Sequence, residues 1–279
     1  MTERELLTGS ESGVGTGSTG SRTETAATRR TFLASAAGAA AVVGLGDATV
    51  VGAASADSGD EATTFTVRVE NVSTPTTLAT SGSGDAEKQP VPLSPGAYAV
   101  HSEPGPLFAE LEPARGNGLE ALAEDGMPTD LAGALAERDD VSDSGAFATP
   151  AGADEPAPIG PDGAYEFAVE AEPGERLSLA TMFVQSNDLF YAPEPRGIGL
   201  FDGGEPLSGD VTNAIGLWDA GTECNREPGV GADQAPRQSE AGAGTEEDAP
   251  VRPVTDVGDG YEYPYVSEVI RVTREAETG

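Results

Sequence analysis

Lysine is all but missing from this chain. Lys88 is the only one in 279 residues, and 15 basic residues in all face 48 Asp and Glu, a formal net charge of −33. A nucleic-acid reader needs a basic face, so DNA and RNA are excluded as partners. Cys224 is the only cysteine, which rules out an intrachain disulfide. With His101 as the only histidine, Cys₄ and Cys₂His₂ zinc sites are excluded as well. Rings for stacking on sugars are few, with one Trp and six Tyr. What is abundant is acid. At ~1 M salt the Debye length falls to ~3 Å, so self-repulsion is screened and dense carboxylates keep a surface hydrated. The composition therefore points to work in concentrated salt, as in a halophilic archaeon. Any single Asp or Glu is first to be read as a solvated surface residue.

The opening 56 residues read as an address. Residues 28–33, TRRTFL, put Arg29 and Arg30 before an aromatic and a leucine. A small, apolar run covers Ala34 to Leu45 and resumes at Ala48–Ala54, and Ala54-Ser55-Ala56 supplies a small-x-small cleavage site. Charge, apolar run and cleavage site in this order make a twin-arginine signal peptide with a polar leader over 1–56. Gly44, Gly46 and Asp47 break the run, and a span needs ~20 apolar residues, so no stable membrane insertion is expected after processing. Cleavage before Asp57 removes four Arg and five acids, which leaves 11 basic against 43 acidic residues and a net charge of −32. The expected location is secreted or at the cell surface.

Residues 57–279 suit one domain, and the fold expected for it is all-β, an antiparallel β-sandwich. TFTVRVENV (64–72) and AYEFAVEA (164–171) alternate apolar and polar residues. RLSLATMFV (176–184) begins by alternating and ends in a continuous apolar run, as a central strand can. VTNAIGLW (211–218) and YVSEVIRVT (265–273) also fit strands. GLEALAEDG (118–126) and TDLAGALAERDD (129–140) place leucines at helical intervals, with Thr129 or Asp130 as a cap for the second. These are short helices in a crossover loop. Residues 142–163 and 226–250 read as loops, and the terminal REAETG as frayed.

Nucleophilic chemistry is hard to build here. No serine sits in a G-x-S-x-G elbow, Cys224 lies beside acids that disfavour its thiolate, and a lone His101 at a strand end reads as structural. The better constellation is rich in oxygen. QSNDLF (185–190) ends one apolar strand with Asp188, and LWDAGTECN (217–225) ends another with Asp219 and Glu223. If both ends share an edge of the sandwich, three carboxylates converge, as a hard cation such as Ca²⁺ requires. Gly221 lets the second loop turn.

Four motifs in order carry a family resemblance: the opening strand with ENVS, the segment PLSPGAYAVH, the helix GLEALAEDG, and the two strand-end acid motifs. Together they resemble the spondin N-terminal domain, over roughly 64–240 and followed by the C-terminal strand near 265–273. In animal members the acid motifs are similar to S-P-D-W and D-A-G-T-D. The resemblance implies a β-sandwich with a calcium ion held by Asp188, Asp219 and Glu223. Here Asn187 and Leu189 flank the first acid, and Glu223 stands where the family has Asp, adding a methylene of reach. The animal domain's cysteines are absent. The function implied is an exported calcium-binding module for binding or adhesion, with a surface-layer protein, another extracellular protein or a glycan as partner, and no catalysis. The alternative is an exported metal-dependent hydrolase using the same carboxylates.

Overall fold

The computed structural model describes residues 62–114 and 116–277. The signal read over 1–56, with Arg29 and Arg30, lies outside them. The described chain is all-β, with antiparallel sheets and two short helices. Its main elements are β1 (Thr63–Asn71), β2 (Leu93–His101), α1 (Leu119–Asp125), α2 (Thr129–Ala136), β3 (Val141–Phe147), β4 (Ala164–Ala171), β5 (Arg176–Phe183), β6 (Leu189–Pro193), β7 (Gly209–Asp210), β8 (Ile215–Asp219), β9 (Arg252–Pro253) and β10 (Ile270–Ala276). The smaller sheet has the order β7-β10-β1-β4. The larger has the order β9-β8-β6-β5-β2-β3, and a two-residue strand at Ile198–Gly199 adds to β5.

Alternation decides which side chains face inward. Phe65, Val67 and Val69 of β1 point into the space between the sheets, where they meet Leu177 and Leu179 of β5 and Tyr191 of β6. Arg68 and Glu70 point outward and pair across strands with Glu166 and Arg271. A second apolar layer lies on the other face of the larger sheet. Ala97, Ala180, Phe190 and Trp218 pack there against Leu119 and Leu122 of α1 and Leu131 and Leu135 of α2. Strand β5 is covered on both faces, which is why its sequence runs apolar without a break. The helices sit in the long connection from β2 to β3. Gly118 and Gly126 bracket α1 in left-handed conformations, whereas α2 starts at Thr129 with no side-chain cap from Thr129 or Asp130.

Three sequence expectations are corrected. Residues 142–163 are not all loop, because Val141–Phe147 forms the edge strand β3. Only Phe147 of that strand is buried, so no apolar alternation marks it, and pairing with β2 holds it in place. The starts of 211–218 and 265–273 are single 3₁₀ turns at Thr212–Ala214 and Val266–Glu268. The supposedly frayed end is strand through Ala276, opposite Phe65.

The ENVS motif has a structural reason. Asn71 is fully buried at the end of β1. Its Nδ2 donates to the carbonyls of Val91 (2.8 Å) and Ile159 (3.0 Å), and its Oδ1 accepts from Ser73 N (2.9 Å) and Ser73 Oγ (2.6 Å). One side chain thus ties three separate segments together. An Asn71→Ala variant leaves two buried carbonyls short of a donor. It should lose at least ~2 kcal/mol of stability, read as a lower urea midpoint at unchanged slope in high salt.

Candidate metal centre

The turn after β5 is held by its own polar side chains. Ser186 Oγ donates to the Phe183 carbonyl (2.6 Å) and accepts from Leu189 N (3.1 Å), which fixes the turn into β6. Asp188 follows, fully buried. Its Oδ2 accepts the backbone amides of Thr222 (2.8 Å) and Glu223 (3.1 Å), in the loop that leaves β8. Asp219 is the last residue of β8, also fully buried, and pairs in register with Leu189. The two strand ends therefore share one edge of the larger sheet. Gly221 makes the turn between them and the loop possible. Its φ is 69°, and an added Cβ would stand 2.4 Å from the Ala249 carbonyl oxygen.

The three acids differ in what they hold. Asp219 Oδ2 accepts from Asn225 Nδ2, and its Oδ1 lies 3.6 Å from Arg252 Nη2, an ion pair without a hydrogen bond. Glu223 is turned elsewhere. Its Oε1 accepts from Gly244 N (2.8 Å) and its Oε2 from Asn187 Nδ2 (3.3 Å). Among the described residues, no group of three or more His, Cys, Asp or Glu side chains is arranged to hold a metal ion. What is brought together is the pair Asp188 and Asp219, with Glu223 adjoining through its backbone.

The polar atoms left without partners are concentrated here. Among the described residues, the buried side-chain atoms lacking any hydrogen bond are Asp188 Oδ1, Asp219 Oδ1, Tyr191 Oη and Arg252 Nε. Asp188 Oδ1, Asp219 Oδ1 and Arg252 Nε belong to the corner made by β8, β9 and the turn before β6, whereas Tyr191 Oη lies in the core between the sheets. Burial pushes the Asp188 carboxyl up to about 8, and the neighbouring Asp219 charge adds to that against the two amide hydrogen bonds. Burial also raises Asp219, with Asn225 and Arg252 working the other way, and raises Glu223 against the pull of Gly244 and Asn187. Two buried carboxylate oxygens with no donor fit a hard cation in chemistry. Arg252 offsets one charge of the pair, so an ion would add to its compensation. The residues fit such an ion with Asp188 and Asp219 as its carboxylates; Glu223 would first have to leave Gly244 and Asn187.

A fourth acid escaped the sequence reading. Glu124 lies on the buried side of α1, beside Leu122 and Ala123, at 7 % exposure. Burial pushes it up to about 7; the Thr222 hydroxyl lowers it, while Glu223 adds to the rise. Thr222 thus stands between Glu124 and Asp188, since its hydroxyl also lies 3.4 Å from Asp188 Oδ2. The signal was present in GLEALAEDG, as an acid adjoining the apolar stripe of the helix. The long segment 226–250, free of helix or strand, covers this region. Its Gln234 is fully buried, Gln238 donates to Asp125 Oδ1 (2.7 Å), and the Arg226 amide donates to Asn187 Oδ1 (3.1 Å).

His101 is buried, and it does hydrogen-bond a serine. Its Nδ1 faces the Glu103 carbonyl oxygen at 2.6 Å and its Nε2 faces Ser178 Oγ at 2.9 Å. The crevice beside Ser178 admits no water-sized molecule, and a Cβ at Gly197 would stand 2.7 Å from Nε2. This is a packed bridge between β2 and β5, and burial lowers the histidine's affinity for a proton.

No family model and no curated protein sequence matches the chain.

A pH dependence follows from the raised carboxyls. A folded-state value above the unfolded one means that the folded chain holds extra protons between about pH 4, the usual unfolded Asp value, and about 8. Stability without a cation should therefore fall as pH rises through that window, because ionisation is harder in the fold. Thermal melts in chelator and constant high salt should show Tm dropping from pH 5 to pH 8, by ~2–4 °C for each kcal/mol lost. Asp188→Asn should flatten the slope without abolishing it, since Glu124 and Asp219 shift the same way.

Proposed function

We propose that this chain is an exported, calcium-binding module of the spondin type that acts by binding or adhesion at the cell surface or in the medium. The observation that carries the reading is the pair of buried carboxylate oxygens, Asp188 Oδ1 and Asp219 Oδ1, left without donors at adjoining strand ends. The donor set is oxygen, which suits a hard divalent ion. The all-β fold, α1 at GLEALAEDG and the placement of both acid motifs at one sheet edge accord with the family resemblance. The ion would close the corner by joining the turn before β6 to the loop after β8. Its role would be to hold the surface loops in one shape for a partner, a surface-layer protein or a glycan.

Calcium that binds only the folded chain stabilises it by ~2.7 kcal/mol at a hundredfold excess over its Kd. Thermal melts in high salt, with calcium and with chelator, should differ by several degrees, and calorimetry should show calcium uptake. Asp219→Asn should weaken uptake most, and Glu223→Asp only mildly. Identical melts together with no uptake in the unaltered chain would remove the calcium reading.

Export is tested separately. Arg29→Lys combined with Arg30→Lys should keep the precursor inside the cell, because the export receptor reads the paired guanidinium groups. In the unaltered protein the mature N-terminus should fall near Asp57 by mass spectrometry. Normal amounts of the double variant outside the cell would refute the signal.

A further inference from the structure

The exposed aromatic residues of the described chain are gathered in one place. Tyr261 and Tyr265 are 37 % and 78 % exposed, and no other described aromatic side chain is exposed. With Tyr263 they make the stretch YEYPY (261–265), which holds three of the six tyrosines in the sequence. All three line a cavity of about 510 Å³ whose apolar side is formed by Leu217, Val254 and Val266. That volume lies within the ~300–1,000 Å³ usual for small-molecule sites. Asp259 shapes the cavity from within. Its Oδ1 accepts the Tyr261 amide (2.9 Å) and its Oδ2 accepts the Tyr263 hydroxyl, so the carboxylate fixes the segment that carries the rings.

Charge around the cavity has one sign. Residues 253–270 contain Asp256, Asp259, Glu262 and Glu268 and no Lys, Arg or His. The two arginines that flank this stretch are taken up elsewhere, Arg252 by Asp219 and Glu247, and Arg271 by Glu70. An anion is therefore disfavoured. An inorganic cation holds its water too firmly to gain from aromatic rings. A weakly hydrated organic cation gains from both, since ring faces attract it and nearby carboxylates complement its charge. Such a contact is short-ranged and survives the salt that screens longer-range attraction.

We infer that the cavity lined by Tyr261, Tyr263, Tyr265 and Asp259 is a binding site for a small quaternary ammonium compound. The cavity adjoins the candidate metal centre, since Tyr263 feels the Asp219 and Asp188 charges, but none of the candidate ligands lines it and its test is run without calcium.

Calorimetry on the full chain, in high salt with chelator present, compares three probes. They are choline, its neutral isostere 3,3-dimethylbutan-1-ol, and N-acetyl-argininamide as a stand-in for a partner's arginine. Choline should bind saturably, and the neutral isostere at least ~10-fold more weakly, because it keeps the shape and loses the cation–π attraction. Tyr261→Leu with Tyr265→Leu should weaken choline by a similar factor at unchanged Tm, since both side chains are exposed. Tyr265→Ser alone gives a second, milder variant that touches no core contact. No choline binding, equal binding of the neutral alcohol, or full affinity in the leucine variant would overturn the proposal. Tighter binding of the arginine probe than of choline would also overturn it, in favour of a polypeptide partner.

Discussion

Asp188 accepts two backbone amides from a loop 34 residues further along the chain, and much of the larger sheet's edge is arranged around that exchange. A carboxylate is the only side chain that can take several amide donors and still have an oxygen left over. Replacing it with an apolar residue would leave the Thr222 and Glu223 amides without acceptors in a dry place. The turn held by Ser186, the left-handed Gly221 and the close approach of Gly244 to Glu223 all serve to bring donors and acids to that corner. The charge is costly to bury, and the corner manages it with amides, with Arg252 beside Asp219, and with raised proton affinity.

Burial is what separates these acids from the rest. In a chain with 48 acidic residues, sequence position alone says little about any one of them. Most of those described are exposed or half-buried, where solvent screens their charge. Asp188, Asp219, Glu223 and Glu124 have protein on every side or nearly so. Their mutual influence is therefore much less screened than that of surface charges. The same contrast explains Thr222, whose amide and hydroxyl both serve carboxylates.

The parts of the fold that were legible are those in which burial follows a simple period. Strands β1 and β4 show the two-residue alternation of a half-buried sheet, and β5 shows the unbroken run of a strand covered on both faces. Asp188 and Asp219 were legible as strand-end acids, but that the two ends share an edge is set by the pairing of β6 with β8. Edge strand β3 was hidden because its pairing is made by backbone groups, which any sequence supplies. The direction of the Glu223 side chain was hidden as well, because it depends on Gly244 and Asn187, both distant in sequence. Glu124 was masked by its setting, since an acid in a short helix reads as solvent-facing until the helix is placed against a sheet. The tyrosine cluster was lost in the averaging of composition: six tyrosines are few, but three within five residues are not.

The place of the last strand bears on when the domain can exist at all. Strand β10 lies between β7 and β1, with Ile270 opposite Asn71 and Ala276 opposite Phe65, and the Glu277 amide donates to the Thr64 carbonyl (2.9 Å). The first strand of the described domain thus waits for the last. While the ribosome is still making the middle of the chain, β1 has one edge without a partner. The smaller sheet can be completed only after residue 276 has cleared the exit tunnel, so the sandwich cannot close while β10 is still inside it. A sandwich built this way closes as one unit, because neither edge of β1 is satisfied until strands far along the chain have arrived.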